Sequence, residues 1–206
     1  MARQPAAWQN PPMMDKAGNP RRARGPRKAT AKHLENAALH YLARFATSAE
    51  NLRRVLTRKV DRSARIHGTD RAEGRAHVES LIRRFAASGL VDDLAYARAR
   101  ATSLARRGAS ARLIRARLMA KGVAPEAIAG ALATLADDGG DAEFKAAVNL
   151  ARRRRLGPFR KEKGKPAGDE RQRALAALAR AGFSYDVARR VIDAASAEAL
   201  EEAADG

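Results

Sequence analysis

The segments GVAPEAIAGAL (residues 122–132) and GFSYDVARRVI (residues 182–192) align without a gap. In both, an apolar residue follows the glycine directly, and an acid, Glu126 or Asp186, stands four residues after it. A glycine in this setting is typical of a helix end, and the residues after it are typical of a new helix. The match therefore predicts a repeated junction between two helices.

A second internal match extends the repeat toward the N-terminus. A serine, two apolar residues and a lysine recur at the same spacing, in Ser48, Leu52, Leu56 and Lys59 and again in Ser110, Ile114, Leu118 and Lys121. Chance similarity between alanine-rich helices is the alternative, but it does not explain why glycine, cap and apolar positions agree together. Units of this size bury only small cores, so they are expected to stack into an elongated, curved body.

The composition and the spacing of apolar residues predict an all-α fold. Apolar residues recur at intervals of three and four, and aromatic residues make up only 4% of the chain. Residues 1–32 hold five prolines and eight basic residues with one acid, which predicts a disordered basic arm. The predicted organisation is this arm, three three-helix units (33–91, 92–138 and 139–195) and an acidic tail (196–206) that frays from the last helix.

Several helix starts can be predicted from capping residues. Thr47 and Glu50 have the spacing of a capping box. Asp92 or Asp93 is expected to cap the first helix of the second unit, and Ser110 the next helix. Each cap precedes a run of apolar residues at helical spacing, which supports the division into short helices.

The charge of the chain favours a polyanionic partner. The sequence has 41 Lys and Arg against 23 Asp and Glu, a formal net charge of +18. A basic protein gains binding free energy when it releases counterions from nucleic acid, so nucleic acid is the natural candidate. The alternative is a basic surface that is simply solvated. A role at a membrane surface is disfavoured because the apolar helix faces are rich in alanine.

Localisation is predicted from what the sequence lacks. It has no cysteine, no apolar core of a secretory signal and no run near the roughly 18 apolar residues of a membrane span. A chain without disulfides suits a reducing compartment. These features predict a cytoplasmic protein. No apolar stripe is sustained over heptads, so a monomer is expected.

The sequence shows no catalytic or cofactor motif. The four histidines, His33, His40, His67 and His77, lack zinc-ligand spacing. There is no nucleophile motif and no phosphate-binding glycine loop with a lysine. We therefore predict a binding protein without enzymatic activity, metal or cofactor.

Most aromatic residues are predicted to belong to the core. At helical spacing they pack inside a protein far more often than they stack on bases. The residues so assigned are Tyr41, Phe45, Tyr96, Phe144 and Phe183. Tyr185 stays open, because it follows Ser184 at a helix start, where its ring could be exposed.

The candidate binding residues are basic and are concentrated in the second unit. Arg112 and Arg115 are three residues apart, so they share one helix face. Arginine offers a planar fork for carboxylates and phosphates, although an ordinary solvated face is the alternative for any single arginine. The set in the second unit comprises Arg98, Arg100, Arg106, Arg107, Arg112, Arg115, Arg117 and Lys121. A weaker electrostatic footprint is assigned to Arg152, Arg155, Arg189 and Arg190.

Over roughly residues 34–194 the chain resembles the RecX family of bacterial RecA regulators. The resemblance rests on the order and spacing of four segments: ALHYLARFATSAENLRRVLTRKV (38–60), SGLVDDLAYARA (88–99), RRGASARLIRARLMAKGV (106–123) and RQRALAALARAGFSYDVARRVI (171–192). The chain departs from the family in the arm before Leu34, in a glycine-containing insertion between Val60 and Ala76, and in a loop from Lys161 to Asp169.

The resemblance implies tandem three-helix repeats and a regulatory function in homologous recombination, DNA repair and the SOS response. It implies binding in the groove of the RecA filament on single-stranded DNA, with inhibition of RecA as the main effect. The first rival is a helical protein that binds DNA on its own, since three-helix units also occur in DNA-binding modules. The second rival is a metal-dependent nuclease that uses scattered acids and histidines.

Overall fold

A computed structural model of the chain describes residues 27–137, 141–160 and 168–205. These ranges contain ten α-helices, a short 3₁₀ helix at Gly157–Phe159 and no strand. The predicted all-α fold is confirmed. The helices are α1 (Ala31–Leu42), α2 (Ala49–His67), α3 (Arg71–Ala87), α4 (Asp93–Arg106), α5 (Ala111–Ala120), α6 (Pro125–Asp137), α7 (Ala142–Arg154), α8 (Gly168–Arg180), α9 (Tyr185–Ile192) and α10 (Ala197–Asp205).

The buried apolar residues form three separate clusters, one for each group of helices. We call α1–α3 unit one, α4–α6 unit two, and α7–α10 unit three. Large side chains at the centres of these clusters are Leu52, Leu56 and Val78 in unit one, Leu104, Ile114 and Leu118 in unit two, and Phe144, Val148 and Leu178 in unit three. Each unit therefore has a core of its own, as expected for stacked helical repeats.

Side-chain caps start most of the helices. Asp92 caps α4, since its Oδ1 accepts hydrogen bonds from the amides of Leu94 and Ala95. The predicted cap at Thr47 is wrong. Ser48 caps α2, and the Thr47 hydroxyl instead accepts a hydrogen bond from Asn51 Nδ2 at 2.8 Å.

The glycine-containing stretch between residues 60 and 76 is mostly helical. It consists of the end of α2, a turn at Gly68 with a φ of 65°, and the start of α3. Gly74 lies inside α3, where a Cβ would come within 2.5 Å of Val60 Cγ1. The absence of a side chain thus lets α3 approach α2 closely.

The two ends of the described chain pack against the helical body. The Ala29 amide donates to Ser63 Oγ at 2.9 Å, and Thr30 caps α1. Residues 27–32 therefore belong to unit one, while the remainder of the predicted basic arm, residues 1–26, lies outside the described residues. At the other end, the acidic segment forms α10, in which Leu200 is buried. This differs from the frayed end that the sequence predicts, because one leucine anchors the segment to α7.

The first junction between units joins the start of α2 to the end of α5. The Ser48 hydroxyl donates to the carbonyl oxygen of Lys121, the C-cap residue of α5. The amide of Ala49 donates to Asp93 Oδ1 at 2.7 Å. A residue from unit two thus satisfies an amide that the first turn of α2 would otherwise leave unpaired.

The second junction repeats this arrangement between α5 and α8. The Ser110 hydroxyl donates at 2.7 Å to the carbonyl oxygen of Ala181, directly after α8. The amide of Ala111 donates to Glu143 Oε2 at 3.0 Å. In both junctions the serine is fully buried and also caps its own helix.

The serines and glycines that match in the sequence are the residues that meet at these junctions. A Cβ on Gly182 would lie 2.6 Å from Ser110 Oγ, and a Cβ on Gly122 would lie 2.2 Å from Glu50 Cγ. Each junction places the positive N-terminal end of one helix against the negative C-terminal end of another, which stabilises the contact. Helices α8, α5 and α2 therefore follow one another end to end through the three units.

We expect Ser110→Ala to lower the free energy of unfolding by about 2 kcal/mol, because it removes both a helix cap and a hydrogen bond between units. Ser184 is a matched control, since it caps α9 with the same φ of −65° and ψ of 158° but has no described hydrogen bond to another unit. Ser184→Ala should therefore cost about 1 kcal/mol. Urea unfolding measures both values, and equal losses would contradict a contribution from the junction.

Candidate interaction surface

The predicted basic residues of unit two are all exposed. They belong to α4, to the turn after it, and to α5 with its C-cap residue. Arg98, Arg100 and Arg106 lie on α4, Arg107 follows it, Arg112, Arg115 and Arg117 lie on α5, and Lys121 ends it.

Helix α5 divides its arginines between two faces. Ile114 and Leu118 are buried and point to the core of unit two. Arg112 and Arg115 are one turn apart on the exposed face, as the sequence predicts, whereas Arg117 lies roughly 140° or more around the helix from both, at about 100° per residue. Only the first two can meet one partner surface together.

Met119 extends this face, although the sequence does not single it out as a binding residue. Its side chain is 58% exposed, one turn after Arg115. Exposed methionine and arginine are both enriched where proteins bind one another. The interval of four residues from Arg115 was the available signal, but methionine also fills cores, so sequence alone did not separate the two roles. We call Arg112, Arg115 and Met119 the α5 face.

None of the basic side chains of unit two forms an ion pair within the described part of the chain. In unit one, by contrast, acids neutralise Arg53, Arg54, Arg75 and Arg84. In unit three, acids neutralise Arg152, Arg160, Arg171 and Arg190. The positive charge of unit two is therefore available to an external partner.

The internal repeat shows that the α5 face is specific to unit two. The positions of α2 that match Arg112 and Arg115 hold Glu50 and Arg53, which pair with each other. Burial opposes ionisation of Glu50, but hydrogen bonds from Arg53 and Arg54 lower the pKa of this carboxyl below its usual value. The equivalent helix surface of unit one is thus already neutralised.

Comparison with known proteins identifies the family. A family model described as RecX, second three-helix domain, matches residues 92–132, which span α4, α5 and part of α6. The regulatory protein RecX of Myxococcus xanthus (strain DK1622) is 47% identical over 168 residues, covering 82% of this chain and 88% of that protein. This chain belongs to the RecX family. The regulatory protein RecX of Agrobacterium fabrum (strain C58) is 30% identical over 170 residues, covering 82% and 87%.

Two solved RecX structures have the same fold. A crystal structure of regulatory protein RecX gives a TM-score of 0.56 at 21% identity, over 80% of this chain and 72% of that one. The crystal structure of RecX from Lactobacillus salivarius gives 0.53 at 18%, over 79% and 94%. The resemblance seen in the sequence is confirmed, and the chain is a regulator of the RecX family.

Two of the other basic residues predicted for the RecX-family chain form ion pairs, and two have no ion-pair partner among the described residues. Arg152 pairs with Glu201 at 3.0 Å, and Arg190 pairs with Asp141 at 3.1 Å. The guanidinium of Arg190 also lies 3.7 Å from the centroid of the Phe144 ring. Arg189 is exposed on α9, and Arg155 ends α7.

The aromatic residues of the RecX-family chain divide between core and surface. Phe144 and Phe183 are buried, as predicted, and Tyr41 and Tyr96 are half-buried. The assignment of Phe45 to the core is wrong. Phe45 is 52% exposed, because the chain leaves α1 before this residue, and its ring packs against Tyr41 with 5.1 Å between centroids. Tyr185, left open by the sequence, is 62% exposed.

Within the described ranges, no three His, Asp or Glu side chains of the RecX-family chain are grouped so that they could hold a metal ion. In the same ranges, no helix combines the length and apolar character needed to cross a membrane. The adjacent acids Asp92 and Asp93 have structural roles. Asp92 caps α4, and Asp93 accepts the hydrogen bond of the Ala49 amide at the first junction.

Proposed function

We propose that this chain binds the RecA filament on single-stranded DNA and mainly inhibits its recombinase and ATPase activities. The proposal extends what membership of the RecX family implies. The observation that carries it is the α5 face, where two unpaired arginines and an exposed methionine stand together. A partner with acidic and apolar groups would complement this face.

The repeat architecture supports a filament as the partner. Two junctions of the same kind join the three units, so the helical units repeat along the body, as similar subunits repeat along a filament. The net charge of +18 favours approach to a filament that carries DNA phosphates. We propose that the chain acts in the cytoplasm as a monomer, without a cofactor or enzymatic activity of its own.

The first test is inhibition of the DNA-dependent ATPase of the cognate RecA. Wild-type protein should reduce the rate at substoichiometric amounts. The double variant Arg112→Ala, Arg115→Ala should need about tenfold more protein for the same inhibition, since losing roughly 1.4 kcal/mol of binding free energy raises a dissociation constant tenfold.

A matched variant controls for the loss of two positive charges. Arg58 and Arg62 are exposed one turn apart on α2 and have no ion-pair partner among the described residues. Their replacement by alanine changes the net charge equally and should raise the required amount by less than about threefold. Equal weakening of both variants would contradict a specific α5 face. No effect of the wild-type protein on RecA, with tight binding to duplex DNA, would favour a protein that binds DNA on its own.

A further inference from the structure

A small cavity in unit three is surrounded by arginines from three parts of the chain. It lies between the end of α7, the segment after it and the first turns of α8, and its volume is about 130 Å³. The basic residues around it are Arg155, Arg160, Arg171 and Arg173. Glu170 is the acid among the lining residues. The cavity therefore combines a defined space with an excess of positive charge.

Two of these arginines have acidic partners and two do not. Arg160 Nη1 donates to Glu170 Oε2 at 2.7 Å. Arg171 forms two hydrogen bonds with Asp193, at 2.7 and 2.6 Å. Arg155 and Arg173 are exposed and have no ion-pair partner within the described ranges. The paired residues shape the wall of the cavity, whereas the unpaired ones leave it with a net positive charge.

Arg155 has a backbone conformation that disfavours an arginine. Its φ of 55° and ψ of 49° place it in the left-handed region. Every other described position with a positive φ is a glycine. A glycine at this helix end would carry less backbone strain than an arginine does. Residues in strained backbone conformations are concentrated at functional sites.

We propose that this cavity binds a phosphate group, held by Arg155 and Arg173. The planar guanidinium fork matches the oxygens of a phosphate, and two unpaired guanidinium groups supply the charge that such an anion needs. The apolar floor, where the backbone of Gly157 approaches Ile192, gives the anion a site partly shielded from water. The group comes from the backbone of single-stranded DNA or from a free phosphate compound. The site is separate from the α5 face and does not depend on RecA.

The decisive variant is Arg155→Gly, because it should affect binding and stability in opposite ways. Glycine adopts the left-handed conformation without strain, so the melting temperature should stay equal or rise. Binding of a labelled oligothymidylate, followed by fluorescence anisotropy, should weaken about fivefold. The slope of log K against log salt should fall by about 0.7, the value for one phosphate contact on a single strand. Arg173→Ala should weaken binding similarly.

Arg154→Ala is the matched control. This residue is exposed on α7, one position before Arg155, and is not among the residues that line the cavity. It removes the same charge but should weaken binding by less than about twofold. Calorimetry with pyrophosphate alone separates the two sources of phosphate. Loss of pyrophosphate binding in Arg155→Gly assigns the site to a free phosphate compound, and loss of DNA binding alone assigns it to the DNA backbone.

Two results would overturn the proposal. One is equal behaviour of Arg155→Gly and Arg154→Ala with both probes. The other is a melting temperature of Arg155→Gly well below that of the wild type, which would make Arg155 a structural residue. Inhibition of RecA is measured separately on the same variants, so failure of the α5 face and failure of the cavity can be told apart.

Discussion

Replacing Gly108 with alanine is expected to lower the free energy of unfolding by about 3 kcal/mol. Gly108 follows α4 with a φ of 78°, and it is buried against unit three. A Cβ there would lie 2.6 Å from the backbone nitrogen of Leu150 and 2.8 Å from its Cα. Backbone atoms inside α7 cannot move aside as a flexible side chain could. The loss therefore combines left-handed strain of about 1 kcal/mol with about 2 kcal/mol of overpacking.

Gly89→Ala separates these two contributions. Gly89 follows α3 with a φ of 72°, but no atom lies within 4 Å of a Cβ at this position. Its replacement should therefore cost about 1 kcal/mol, from backbone strain alone. Thermal unfolding of both variants provides the comparison, with a decrease of about 10 °C expected for Gly108→Ala and about 3 °C for Gly89→Ala. Similar decreases would show that α4 and α7 are not tightly packed at this point.

Local patterns in the sequence predict the helices of this protein well. A glycine after an apolar run ends a helix because of its freedom at positive φ, and a serine or aspartate before such a run starts one. These rules depend on neighbouring residues, so one sequence is enough to apply them. They fail where two caps compete, as at Thr47 and Ser48, because the choice depends on the carbonyl of Lys121 in another unit.

Contacts between units are harder to predict, because they join residues far apart in the chain. Ser48 and Lys121 are 73 positions apart, and Ser110 and Ala181 are 71 apart. The sequence shows that the serines are equivalent, but not that each bonds to the following unit. The exposure of Phe45 and the packing of α10 were missed for the same reason, since burial depends on which helices meet.

Only part of the candidate site can be predicted from the sequence, for a similar physical reason. Helical spacing shows that Arg112 and Arg115 share a face. It cannot show which arginines are neutralised by acids elsewhere in the chain, as Arg190 is by Asp141. Only the three-dimensional structure shows that the arginines of unit two lack ion-pair partners among the described residues, whereas several arginines of units one and three have them. This distinction reduces the many basic residues of the chain to two candidate binding sites, which are the α5 face and the small cavity in unit three.

The junctions also connect stability with function. Helix α5 takes part in both of them, with Ser110 at its start and Lys121 at its end. The two junctions therefore fix α5 relative to its neighbours, which holds the α5 face in one orientation. A face held in place loses less conformational entropy on binding than a mobile one. Variants at the junctions should consequently weaken binding as well as stability.

Phe144→Ala is expected to lower the free energy of unfolding by about 4 kcal/mol, the range for a large buried aromatic residue. Phe144 is 2% exposed at the centre of the unit-three core, and its ring lies under the guanidinium of Arg190. Phe144→Leu should cost about 1 kcal/mol, because leucine keeps most of the apolar volume. Urea unfolding of the two variants tests these values.

The location of the destabilisation in Phe144→Ala tests the repeat architecture more directly than the size of the stability loss does. The buried cluster around Phe144 contains no residue of units one or two. In a stack of repeats, stability is carried by each unit and by its junctions with direct neighbours. Hydrogen exchange in Phe144→Ala should therefore accelerate in α7–α10 first, and only weakly in α4–α6. Equal acceleration throughout units two and three would instead mean that they unfold as one cooperative block, with the Ser110 junction as strong as either core.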